Sequence, residues 1–132
     1  MLIQVLHHDD VCVLRLRGRF ATGAELNYLE ARREEVLNLS VSKMLVDLRE
    51  VISIGSTGLG FIVSVFKSVV RRPYGRCVLV CTNPRVRNVF NITRLSDVIP
   101  MTDDVESALM ILRGSYPELQ NRFEARSDSA AF

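Results

Sequence analysis

The sequence predicts an α/β fold: a mixed, largely parallel sheet with an antiparallel hairpin at its amino-terminal edge and about four helices. Three observations carry this. Two apolar or alternating runs, Leu2 to Leu6 and Val11 to Leu16, are separated by a few polar residues, which is the pattern of a hairpin. Further along, short apolar runs of strand length occur at Met44 to Leu48, Cys77 to Cys81 and Val98 to Met101. Between them lie segments whose apolar residues recur at helical spacing, and such alternation points to parallel strands joined by helical crossovers.

Each element has a local reason. In the hairpin, Val11, Val13 and Arg15 are expected on one sheet face and Cys12, Leu14 and Leu16 on the other, with Gly18 ending the strand. Thr22-Gly23-Ala24-Glu25 matches the Thr-x-x-Glu capping box, so a helix is expected after Thr22, with Leu26, Leu29, Val36 and Leu37 turned inward. Its other face, Glu30, Arg32, Arg33, Glu34 and Glu35, reads as solvated and laced with weak ion pairs. Met44 to Leu48 reads as a buried strand, followed by a loop to Gly55-Ser56-Thr57-Gly58. From there Leu59, Ile62, Val63, Phe66 and Val70 mark one helix face. Tyr74-Gly75 makes a turn before the strand Cys77 to Cys81. Asn83-Pro84 reads as a cap with proline at the first helical position, opening a helix to about Ile92 that buries Val86, Val89 and Phe90. Asp103-Asp104-Val105-Glu106 starts the last helix, with Val105, Ala108, Leu109 and Leu112 as its stripe. Residues 1–112 read as one domain, and 113–132 as a helical extension and polar tail, frayed from Ser127 to Phe132.

Composition narrows the function. The formal charge is +2, from 17 basic and 15 acidic residues spread along the chain, so bulk electrostatics demands neither nucleic acid nor membrane. Arg71, Arg72, Arg76, Arg85, Arg87 and Arg94 read as solvated rims or a positive surface for an acidic partner, since no aromatic-rich sheet or recognition helix accompanies them. Three cysteines, Cys12, Cys77 and Cys81, sit inside apolar runs without metal-ligand spacing and read as small core residues of a reduced, cytoplasmic protein. His7-His8-Asp9-Asp10 is better explained as a hairpin bend than a metal site, because adjacent strand side chains point to opposite faces. Neither a secretory signal nor an apolar run of membrane-spanning length is present. No cofactor or metal is expected, and no Ser/His/Asp set, carboxylate pair or P-loop can be assembled, so an enzyme is not expected.

Attention therefore falls on Ser56, at the handover from strand to helix. A hydroxyl there is expected to cap the first free backbone N–H groups of the helix, and the helix dipole favours an anion at the same spot. Loops after the carboxyl ends of parallel strands are also where such sheets hold their sites.

The order of elements, with Val46-Asp47-Leu48, Gly55-Ser56-Thr57-Gly58-Leu59-Gly60, Asn83-Pro84-Arg85-Val86-Arg87 and Ile92-Thr93-Arg94-Leu95, resembles the STAS domain, in particular the stand-alone bacterial anti-sigma factor antagonists. The resemblance spans about Val5 to Leu112. It implies a STAS-type sheet and a partner switch in transcription regulation. In that switch a Ser/Thr kinase that is also an anti-sigma factor binds the unphosphorylated domain and is released when the first hydroxyl of the loop is phosphorylated. Ser56 stands in that place, with Thr57 as second choice. Gly55, Ser56, Thr57, Gly58, Phe61 and Val65 are the expected partner contacts, although Phe61 and Val65 read equally well as packing residues. Two acidic residues usual in the family are replaced, by Gly55 before the serine and by Ala21 in Gly18-Arg19-Phe20-Ala21. This leaves open a scaffold that is never phosphorylated, or a soluble accessory subunit of a membrane transporter. A homodimer is also compatible with the sequence.

Overall fold

The computed structural model describes residues 2–20 and 26–114. A hairpin, β1 (Leu2–His8) and β2 (Val11–Phe20), leads into α1 (Leu26–Leu37), β3 (Lys43–Ile54) and α2 (Ser56–Val70). Then come β4 (Arg76–Val80), α3 (Pro84–Ile92), a 3-10 turn at Leu95–Asp97, β5 (Met101–Thr102) and α4 (Val105–Leu112). The strands form one sheet in the order β1-β2-β3-β4-β5. β1 is antiparallel to β2, and every later pair is parallel. The expected mixed sheet with four helices is what the described residues adopt.

The alternation read in β2 divides the molecule into two apolar layers. Cys12, Leu14 and Leu16, with Met44, Val46, Leu48, Cys77 and Leu79, meet Leu29 and Val36 of α1, Phe61, Ile62, Val65 and Val69 of α2, and Val86 and Phe90 of α3. On the opposite face Val11, Leu45, Val78 and Val80 meet Ala108 and Leu112 of α4. Strand side chains of period two feed both layers, which is why the middle strands are apolar throughout. The start signals of the last two helices act as expected. The Asn83 side chain accepts a hydrogen bond from the Arg85 N–H (3.0 Å), and Asp104 accepts from the Ser107 N–H (2.7 Å).

Four expectations are corrected. Gly18 does not end β2: with φ at 100°, a conformation glycine adopts freely, it sits at a register shift and the strand continues to Phe20. β3 does not stop at Leu48. It runs to Ile54, because the polar step Arg49-Glu50 occupies a second register shift against β2, after which Val51 and Ile54 return to the core. The last strand is only Met101–Thr102, since Val98 is exposed after the 3-10 turn and Ile99 is buried without pairing. The buried face of α2 is Gly58, Phe61, Ile62, Val65 and Val69, rotated from the expected stripe, and Val70 is exposed. The capping box at Thr22, Ala21 and the tail beyond Gly114 lie outside the described residues.

Among the described residues one charge is buried. Asp47 projects from β3 on the α4 side and is 2% exposed. Both its carboxylate oxygens accept from Arg49, at 2.9 Å each, and Arg15 lies 3.4 Å away. Burial alone would push this carboxyl up, but the Arg49 hydrogen bonds and the two guanidinium charges outweigh it and hold it below the ordinary carboxylate value. These three side chains form a structural ion cluster on the face opposite α1 and α2.

Candidate functional site at the start of the second helix

The loop between β3 and α2 is a single residue. Gly55 is the N-cap, in extended conformation (φ −123°, ψ −166°), and α2 begins at Ser56. Gly55 donates to the Phe20 carbonyl (3.2 Å) and accepts from the Leu59 N–H (2.9 Å), so backbone bonds alone fasten the end of β2 to the start of the helix. Among the described residues no side chain caps α2. The expectation that Ser56 caps the helix is therefore corrected: Ser56 is its first residue, one position too late to cap, and is exposed. Its hydroxyl has no hydrogen-bond partner among the described residues.

The six expected contact residues separate by depth. Ser56 is open to solvent, and Gly55 and Thr57 are half-buried. Gly58 is buried at the foot of the helix, where an added Cβ would lie 2.8 Å from Ile54 Cγ1 and 2.9 Å from the Phe20 carbonyl oxygen. The glycine allows α2 to close on the ends of β2 and β3. Phe61 and Val65, 3% and 1% exposed, are core residues, so their reading as partner contacts is corrected. They follow Gly58 at i+3 and i+7, the inward side of the helix.

The outward side holds what the sequence reading passed over. Ser56, Thr57, Gly60 and Ser64 of α2, joined by the core residue Phe61, line a cavity of about 300 Å³ whose other wall is Leu29, Glu30 and Arg33 of α1. An added Cβ at Gly60 meets nothing within 4 Å, so the cavity mouth is bare beside the serine. Glu30 and Arg33 belong to the solvated face expected of α1, and nothing in their own spacing says that this face borders Ser56. The one available signal is the packing of α1 and α2 on the same side of the sheet.

Among the described residues no cluster of three histidine, cysteine or acidic side chains could hold a metal ion. All three cysteines are buried, and burial pushes the Cys77 thiol up to about 12, far from thiolate chemistry at neutral pH. No helix among the described residues is long and apolar enough to cross a membrane. The site thus offers a free hydroxyl, a bare glycine and one ion pair around a shallow cavity. It is suited to recognition and to accepting a group.

The chain matches the STAS domain family over residues 3–108. It belongs to that family. A candidate anti-sigma factor antagonist of Thermotoga neapolitana is 38% identical over 81 residues, which cover 61% of this chain and 71% of that relative. The crystal structure of an anti-sigma factor antagonist from Mycobacterium paratuberculosis superposes with a TM-score of 0.75 at 24% identity, covering 85% of this chain and 93% of that one. The anti-sigma factor antagonist SpoIIAA in its unphosphorylated form gives 0.61 at 20% identity, over 86% of this chain and 99% of that one. Its phosphorylated form gives 0.60 at 17%, over 83% and 99%. These structural matches show that the fold is that of STAS proteins. In STAS terms, Gly55 to Gly60 is the loop and first turn where the sequence motif lies.

Proposed function

We propose that this STAS protein is a regulatory binding module of the cytoplasm, an antagonist of a kinase-type anti-sigma factor, reset by phosphorylation of Ser56. One observation carries the reading. Ser56 is exposed at the first position of α2, and its hydroxyl is committed to neither a cap nor any other internal bond among the described residues. A capping serine would be explained by helix stability alone; this one is not. A fold shared with anti-sigma factor antagonists, one of them known in both unphosphorylated and phosphorylated forms, supports the same reading.

The physics of the switch is local. A phosphate adds nearly two negative charges at a helix start, where the dipole accommodates them, so the fold survives modification. A partner seated over Ser56, Thr57 and Gly60 meets that charge and bulk directly and is expelled. The partner surface we propose is accordingly the outer side of the first two turns of α2, without Phe61 and Val65.

A second reading, a scaffold that is never phosphorylated, is favoured by Gly55, which offers a kinase no carboxylate beside the serine. One experiment separates them. Wild-type, Ser56→Ala and Ser56→Glu proteins are used as baits in lysate of the source cell with ATP, and retained proteins and phosphosites are read by mass spectrometry. The switch predicts a Ser/Thr kinase held by wild type and Ser56→Ala, lost by Ser56→Glu, with phosphate mapped to residue 56. Equal retention by all three baits, with residue 56 unmodified, supports the scaffold.

A further inference from the structure

The two arginines of the outer face of α1 are held differently. Arg32 is fixed: it is paired with Glu35, and its Nη2 donates to the Ile3 carbonyl at 2.9 Å. Among the described residues Arg33 has only Glu30, with Nη1 and Oε2 3.6 Å apart, beyond hydrogen-bond distance, and the two side chains 44% and 59% exposed. Exposed pairs of this kind hold each other weakly. Yet Arg33 and Glu30 are the charged residues lining the cavity beside Ser56, and α2 contributes to it Gly60, Phe61 and the hydroxyl residues Ser56, Thr57 and Ser64, none of them charged. A loosely held guanidinium facing a phospho-acceptor across a shared cavity is a counter-ion in waiting.

We propose that Arg33 is the internal receiver of a phosphate on Ser56, exchanging Glu30 for the phosphate and tying α1 to the start of α2. The inference rests on the reading of Ser56 as the phospho-acceptor. A phosphate dianion outcompetes one carboxylate for the guanidinium, because it carries more charge and presents oxygens matched to the arginine fork. Glu30, repelled by the new charge, swings outward, while the neighbouring Thr57 offers a hydroxyl donor to a remaining oxygen. The exchange fills the cavity from within. Release of a partner then has two causes: charge at Ser56, and loss of the groove between the helices.

The test uses full-length chain with phosphoserine incorporated at position 56 during translation, so that no kinase is needed. The second ionisation of the phosphate is followed by phosphorus NMR against pH, in the parent and in Arg33→Gln, Glu30→Gln and Arg32→Gln backgrounds. A nearby cation favours the dianion, so the parent midpoint is expected below the ordinary value of about 6. Arg33→Gln raises it by about half a unit. Glu30→Gln lowers it further by freeing the arginine, and Arg32→Gln leaves it in place. Amide NMR spectra of the same samples establish that each variant is folded, Arg32→Gln included, whose half-buried side chain gives up a bond to the Ile3 carbonyl. Identical midpoints in the parent and Arg33→Gln, or an equal rise with Arg32→Gln, overturn the proposal. Failure of the underlying reading looks different: the midpoints move as described, but the phosphoserine protein retains the same partners as the unmodified one.

Discussion

The two sides of α2 are built from the same few residue types and do opposite work. Gly58 and Gly60 are two positions apart, yet a methyl group on the first would collide with the Phe20 carbonyl and on the second would touch nothing. Phe61 is sealed in the core, while Ser56, just over one turn earlier, is open to solvent. One face holds the helix to the sheet and the other is left without an internal task. A change on the inner face should act through stability, and a change on the outer face through recognition. That separation is what allows a phosphate to be added without unfolding the molecule.

The contrast can be broken most forcefully at Phe61. Phe61→Ala is expected to cost about 3–5 kcal/mol, read as the midpoint of urea unfolding, because it empties a site beneath α2. If the loss were below about 1 kcal/mol, the inner face would not be the anchor. Gly58→Ala comes next, at about 1–3 kcal/mol, since the backbone carbonyl it meets cannot step aside as a side-chain tip would. Gly60→Ala should have the opposite sign, raising stability by about 0.5–1 kcal/mol through helix propensity alone. Opposite signs for the same substitution two residues apart would sharpen the comparison considerably. Smallest is Ser56→Ala, expected within about 0.5 kcal/mol of wild type, because the hydroxyl it removes has no partner among the described residues. A loss above about 1 kcal/mol would restore the capping role.

The same contrast explains what the sequence could show. The order of strands and helices, the faces of Val11 to Leu16, and the caps Asn83 and Asp104 were all legible, because each depends on neighbours along the chain. The inner face of α2 was legible only in part: Ile62 is buried and Leu59 and Phe66 pack against the core, but Phe61, Val65 and Val69 lay outside the expected stripe. This helix is apolar around most of its girth, so Leu59, Val63 and Phe66 form as good a stripe as the residues that are buried, and only contact with Phe20 and Ile54 at Gly58 fixes the rotation. β3 was cut short for a related reason: Arg49-Glu50 reads as a loop until a register shift against β2 shows how the strand passes through it. Ser56 was found by its place between a strand and a helix, but its cap role was assigned one residue late. Arg33 and Glu30 were read as plain solvated charge because the wall they form depends on how two helices lie side by side.

The most direct test of the account compares a single partner against two states of one residue. Once a kinase has been captured, its affinity is measured by calorimetry for the unmodified chain and for the chain carrying phosphoserine at position 56, with the thermal midpoint of each recorded alongside. The account predicts binding at least about tenfold weaker to the phosphorylated chain, roughly 1.4 kcal/mol, with thermal midpoints that agree. Equal affinity for both, or a loss of binding that follows a loss of folding, would contradict it.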